Sequence, residues 1–140
     1  MYAKGSCSGL NGPGNWSVVL IYGDYIKECS GFVPETTAER IKMYSSIEGL
    51  RLLKTNCHVL MYSNSEKLVD TLKNCTDKRS LNPLNDYDRD GDENQDLWRV
   101  WMMLAKNHSI ECRMMEADDR DKWNLRCDEL VSGEVQFRAG

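Results

Sequence analysis

The sequence predicts an α/β layer structure with an antiparallel hairpin on one edge, and three observations predict it. Two β-branched, aromatic runs meet at a Gly-Asp turn, a capped amphipathic helix follows them, and strands then alternate with helical patterns to the end of the chain.

The hairpin is read from Trp16 to Tyr22 (WSVVLIY), a turn at Gly23-Asp24, and a second run from Tyr25 to Val33, which Pro34 is expected to stop. In Thr36-Thr37-Ala38-Glu39 the T-x-x-E pattern predicts a capping box that opens a helix over residues 37–55. Met43, Ile47, Leu50 and Lys54 recur there at helical spacing, widened by Tyr44 and Leu53, so one face packs on the sheet. His58 to Tyr62 reads as a short strand, with Ser65 capping a helix that buries Leu68, Val69 and Leu72. Residues 76–96 carry Pro83, several Asn and many Asp without apolar periodicity, which predicts an acidic loop insertion. A helix restarts at Leu97, Ile110 to Met115 forms a strand, and Leu125, Leu130 and Val131 mark a last short helix. A first strand before Gly5 is expected to be short, either trimmed or completed by a neighbouring chain, because only Met1-Tyr2-Ala3 precede Lys4.

The 140 residues suit one domain, residues 1–140, and 41% hydrophobic with 29% charged residues suits a packed core without staples. No run of roughly 18 apolar residues and no signal-peptide pattern is present, so a cytoplasmic protein without membrane contact is expected. The six cysteines stand singly, without a C-x-x-C pair, and are expected as free, mostly buried thiols. A formal net charge of −4 disfavours gripping phosphates over a broad surface.

At its two ends the chain resembles a known family. Lys4-Gly5-Ser6-Cys7-Ser8-Gly9-Leu10-Asn11-Gly12-Pro13-Gly14 is similar to the glycine-rich D-G-S-C-x-G-N-P-G-P-G opening of bacterial type 1 ribonuclease H, and Arg126-Cys127-Asp128-Glu129-Leu130 to its closing R-C-D-E-L. Between them, Thr36 to Leu53, Ser63-Asn64-Ser65 and Asp96-Leu97-Trp98 resemble further family motifs in the right order. The resemblance implies a ribonuclease H-like fold: a five-stranded mixed sheet in order 3-2-1-4-5 with helices on both faces. It also implies hydrolysis of the RNA strand of RNA/DNA hybrids by two magnesium ions on four converging carboxylates, since hard cations take oxygen ligands.

Carried over position by position, those carboxylates fall on Lys4, Lys42, Asn64 and Asp128, so only Asp128 remains an acid. The formal charge of the site changes from about −4 to about +1, and an ammonium beside Mg²⁺ costs Coulomb energy. No cofactor and no catalytic metal are therefore expected. Asp118 falls on the family's histidine, Leu10 and Ala38-Glu39 on substrate-contacting positions, and residues 77–96 on a basic handle; here that stretch carries seven acids against three basic residues.

Other patterns weigh less. Asp86, Asp88 and Asp90 with Gly91 match the first half of a calcium loop, but Leu97 stands where its bidentate glutamate belongs. His58 and His108 lack the G-x-S-x-G turn of a nucleophile and read as surface or strand-edge histidines. Trp98, Trp101, Met102, Met103, Met114 and Met115 read as core, with a surplus left for a partner surface.

Together these readings predict a protein that is not an enzyme, a pseudoenzyme working through contact with an unknown protein partner as an inhibitor or scaffold. Two alternatives accompany that expectation: binding of RNA/DNA hybrid or another nucleic acid through Lys4 and Lys42, and weak ribonuclease H activity.

Overall fold

In the computed structural model, residues 1–9, 11–73, 94–115 and 121–139 are described, without the side chains of Lys73 and of residues 132–139. Five strands, β1 (Tyr2–Cys7), β2 (Gly12–Tyr22), β3 (Tyr25–Thr36), β4 (His58–Ser63) and β5 (Ser109–Met114), form one sheet in the order β3-β2-β1-β4-β5. Four helices among the described residues accompany it: α1 (Ala38–Arg51), α2 (Glu66–Lys73), α3 (Gln95–Ala105) and α4 (Lys122–Ala139). The β1-β2-β3 meander is antiparallel, whereas β4 lies parallel to both β1 and β5. This is the mixed sheet and strand order that the family resemblance implies.

Several local readings change. β1 is not short: it runs through Lys4 to Cys7 and pairs with β2 from Tyr2↔Val19 to Cys7↔Gly14, so no neighbouring chain is needed to complete the sheet centre. Pro34 does not stop β3, which continues to Thr36; β3 pairs with β2 alone, and an edge strand tolerates a residue without an N–H. The cap of α1 is Thr37, whose hydroxyl accepts from the Arg40 amide at 3.2 Å, and the capping box does not close. Glu39 instead accepts from the Ser65 hydroxyl at 2.8 Å, while Ser65 caps α2 as expected, accepting from the Leu68 amide at 3.1 Å. α3 begins at Gln95, so Asp96 belongs to its first turn and not to a loop. There the Arg40 guanidinium pairs with both carboxylate oxygens of Asp96, at 2.9 and 2.6 Å, and ties α3 to α1. The rest of the predicted acidic insertion, including Asp86, Asp88 and Asp90, lies outside the described residues.

The core lies between the sheet and the helices α1, α2 and α3. Met43, Ile47 and Leu50 of α1 meet Ala3, Val18 and Met61 of the sheet, with Leu68, Val69, Trp98 and Trp101 closing it. Each such fully buried large side chain contributes roughly 1.5–3 kcal/mol. The tryptophans are core, as read from sequence: Trp101 donates its indole N–H to Ser46 Oγ at 3.2 Å, and Met115 is buried, while Met103 and Met114 stay exposed. Of the cysteines, Cys7, Cys29, Cys57, Cys112 and Cys127 are free thiols, though only Cys112 and Cys127 are buried. No helix among the described residues is long and apolar enough to cross a membrane.

On the opposite face α4 packs against β2, β1 and β3. Arg126 fixes it there by pairing with both oxygens of Glu28 on β3, which holds the Glu28 carboxyl below the usual carboxylate range.

Candidate functional site

The site forms beside the C-terminal end of β4, which lies parallel to β1 at the sheet centre and pairs with it at Tyr2 and Ala3. Side chains alternate across a strand, so successive β1 residues serve opposite faces. Ala3 and Gly5 turn toward α1; Tyr2 and Lys4 turn toward α4.

Gly5 lies directly against the backbone of α1. A Cβ placed on it would lie 2.6 Å from the Ile41 carbonyl carbon and 2.6 Å from the Lys42 amide nitrogen, both backbone atoms. Only glycine lets α1 lie this tightly on β1, and the contact sets the Lys42 backbone against the strand that carries Lys4. Among the described residues, no hydrogen bond or ion pair holds the Lys42 ammonium.

Asn64 follows β4 and behaves as an added rung of the sheet. Its amide donates to the Gly5 carbonyl at 2.8 Å and its Oδ1 accepts from the Gly5 amide at 3.1 Å. Both ends of the side chain are thus engaged on the backbone next to Lys4.

Lys4 forms a salt bridge with Asp128 of α4 and donates to Asn124 Oδ1 at 3.4 Å. The lysine side chain keeps 24% of its accessibility and the aspartate 51%, so solvent reaches the pair. α4 is held in place for this contact at its start. Asp121 Oδ1 accepts from the amides of Trp123 and Asn124 at 3.0 and 3.3 Å, an N-cap, and its Oδ2 accepts from the Tyr2 hydroxyl at 3.1 Å. Tyr2 stacks on Tyr62 of β4 with ring centroids 4.8 Å apart. Burial, and then the hydrogen bond to Asp121, push the Tyr2 phenol up to about 12. Beside Asp128, burial pushes the Cys127 thiol up to about 11, making it a core group and not a nucleophile.

Lys4, Asn64 and Asp128 therefore come together as the motifs suggest, with the Lys42 backbone packed against the same strand. Asp118 and Leu10 lie outside the described residues. His58 sits exposed on β4, and His108 Nδ1 accepts from the Cys57 amide at 3.1 Å, far in sequence from the site and engaged in a turn. Asn124, Tyr2 and Asp121 belong to none of the motifs read from the sequence. The pattern Asp121-Lys122-Trp123-Asn124 before a helix is a capping signal that points to Asp121.

The RNase H family profile matches residues 1–136. The chain belongs to the RNase H family. The Ribonuclease H of Moorella thermoacetica is 39% identical over 136 residues, covering 96% of this chain and 90% of the relative. That of Symbiobacterium thermophilum is 38% identical over 143 aligned residues, covering 96% and 92%. Among solved structures, LC11-RNase H1 in complex with an RNA/DNA hybrid matches with a TM-score of 0.75 at 17% identity, covering 99% of this chain and 97% of that one. LC9-RNase H1, described as a type 1 RNase H with the type 2 active-site motif, matches with a TM-score of 0.74 at 23% identity, covering 95% and 71%.

These relatives overturn the expectation of a noncatalytic protein that works by protein contact. That expectation rested on a few substituted positions, whereas likeness to proteins named Ribonuclease H runs through nearly the whole chain. Of the Trp and Met cluster, Trp98, Trp101 and Met115 are buried in the core, and Met103 and Met114 are exposed.

The fold family implies a divalent metal pair, and the donor set here does not fit one. Among the described residues no three His, Cys, Asp or Glu side chains gather closely enough to hold a metal ion. Asp128 already faces an ammonium, and the Asn64 oxygen is occupied by the Gly5 amide. Hard cations need several free oxygens, and this arrangement offers one shared carboxylate.

Proposed function

We propose that this RNase H family protein acts on RNA/DNA hybrid, binding it at the Lys4-Lys42 site and cleaving its RNA strand weakly. The observation that carries this reading is the near-full-length likeness to proteins named Ribonuclease H, at 38–39% identity for two of them. The hybrid held by LC11-RNase H1 on a similar fold supports the same substrate class.

The chemistry of binding follows from the two lysines. An ammonium has three donors. Asp128 takes one from Lys4 and Asn124 a second, which leaves one for a phosphate oxygen of the hybrid. Lys42 brings a second cation with all three donors available among the described residues, so the site carries a net charge of about +1 against a chain of −4. Weak cleavage follows from the loss of carboxylates at three of the four family positions.

Fluorescence anisotropy with labelled RNA/DNA hybrid, duplex DNA and single-stranded RNA tests it, together with gel analysis of the RNA strand. Hybrid should be bound in preference, and the Lys4→Ala, Lys42→Ala double variant should reduce the salt slope of binding by about 2, one for each lost phosphate contact. Absence of hybrid binding, or affinity unchanged in the double variant, would reject the reading.

A further inference from the structure

We infer that Lys4 is a built-in cation, so that this site holds the phosphate of a hybrid without any divalent metal. The inference rests on the hybrid reading above and adds how the site is charged.

Three observations point the same way. First, the ammonium of Lys4 sits on the carboxylate of Asp128, the acid that survives at the family's metal positions. A cation joined covalently to β1 and a cation from solvent would compete for one carboxylate, and the tethered one pays no cost of being recruited from solution. Second, the pair is positioned and not fortuitous. Lys4 is also held by Asn124, whose helix is capped by Asp121 and tied to β1 by Tyr2, two residues from Lys4 on the same face of the strand. Asp121 at the cap of α4 and Asn124 and Asp128 within it are thus arranged around one strand. Third, Asn64 closes the other approach, because its amide has both polar ends on the Gly5 backbone. A metal entering there would gain a single neutral amide oxygen that already accepts from the Gly5 amide.

The consequence concerns dependence on metal. In a site of converging carboxylates, phosphate is repelled until cations fill it, so engagement of the reactive phosphate waits on metal. Here the cation is part of the fold. With Lys42 on the helix packed against the same strand, the site is positive before any ion arrives, and its affinity for phosphate depends on total salt and not on the presence of magnesium. Asp128 and Asn124 act as positioning residues for Lys4 and make no contact with the nucleic acid themselves.

The experiment compares hybrid binding by the full chain in magnesium and in EDTA at matched ionic strength, for the wild type and for Lys4→Gln. The expected result is an affinity equal within about twofold in the two buffers, and a Lys4→Gln variant weaker in both, with a salt slope lower by about 0.9. Binding that falls tenfold or more in EDTA overturns the inference while leaving the hybrid reading intact. No hybrid binding in either buffer overturns the hybrid reading, and the inference falls with it. A titration of the free protein with magnesium, followed by NMR at the amides of Asn124 to Glu129, decides the metal question without nucleic acid. Saturable shifts at millimolar magnesium overturn the inference; their absence supports it.

Discussion

Replacing Gly5 with alanine should lower both the stability of the fold and the integrity of the site. The added Cβ would lie 2.6 Å from the Ile41 carbonyl carbon, 2.6 Å from the Lys42 nitrogen and 2.7 Å from the Ile41 oxygen. Ordinary carbon contacts lie at about 3.5–4.0 Å, so α1 must retreat by roughly 1 Å. All three atoms are backbone, and no side chain can swing away to absorb the change. Overpacking typically costs about 1–3 kcal/mol, and the rigidity of the neighbours places this substitution near 3 kcal/mol. For a domain of this size that corresponds to a Tm lower by roughly 10 °C. Gly23→Ala is the control: its Cβ meets nothing within 4 Å, and its φ of +58° carries only backbone strain of about 1 kcal/mol. Equilibrium urea unfolding and thermal melts of both variants check the difference. A Gly5→Ala protein as stable as Gly23→Ala would refute the claim that this glycine sets the distance between α1 and β1. The same retreat carries Lys42 outward, so hybrid affinity should fall even under conditions where the variant is fully folded.

Three further outcomes are expected. Tyr2 ionises near 12 when folded and near 10 when unfolded, so its neutral form is favoured by folding; the stability it contributes is intact below pH 10 and lost as pH rises toward 12, and pH-dependent melts of wild type and Tyr2→Phe should diverge below that window and converge through it. Asp96 has its pKa lowered chiefly by the hydrogen bonds from Arg40, so the contribution of this pair is present above the ordinary aspartate range and lost as pH falls through the lowered value; Arg40→Ala should cost under about 1 kcal/mol at neutral pH, because both groups are substantially exposed, and nothing at low pH. The combined replacement Lys4→Asp, Lys42→Glu, Asn64→Asp should raise magnesium-dependent cleavage of the RNA strand by about tenfold or more, measured on labelled hybrid, and unchanged cleavage would count against the placing of these three positions in the site.

What the sequence made legible was what local pattern and ordered motifs encode. The helix stripe of Met43, Ile47 and Leu50, the Ser65 cap and the Trp98 and Trp101 core positions follow from periodicity and capping chemistry, and they reappear in the fold. Strand order came from the resemblance alone, because no local pattern states which strand lies beside which. The errors share a physical cause. Pro34 was weighed as a breaker without knowing that β3 is an edge, Glu39 was assigned to its own helix end when Ser65 competes for it, and β1 was measured only up to Lys4. In the site, Lys4, Asn64 and Asp128 were found through the glycine-rich and R-C-D-E-L segments that flank them. Asn124 and Tyr2 were not, since their roles exist only across contacts 119 or 120 residues apart.

Such long-range contacts also explain how a few charge reversals can leave the architecture whole. Four carboxylates turned toward one point repel each other, and a fold that holds them needs cations to offset that repulsion. Placing Lys4 opposite Asp128 removes the repulsion by internal pairing, and Asn64 turns a charged position into two hydrogen bonds along the sheet. On the reading proposed above, the substitutions favour the fold and disfavour metal-assisted cleavage, while the lysines supply the positive charge that attracts phosphate. Binding and cleavage, coupled through metal in a site of converging carboxylates, become separable here. Metal-free hybrid binding should consequently weaken in the combined acidic replacement, in the same variant whose magnesium-dependent cleavage rises. If binding in EDTA and cleavage in magnesium moved in the same direction, the lysines would not be standing in for the ions.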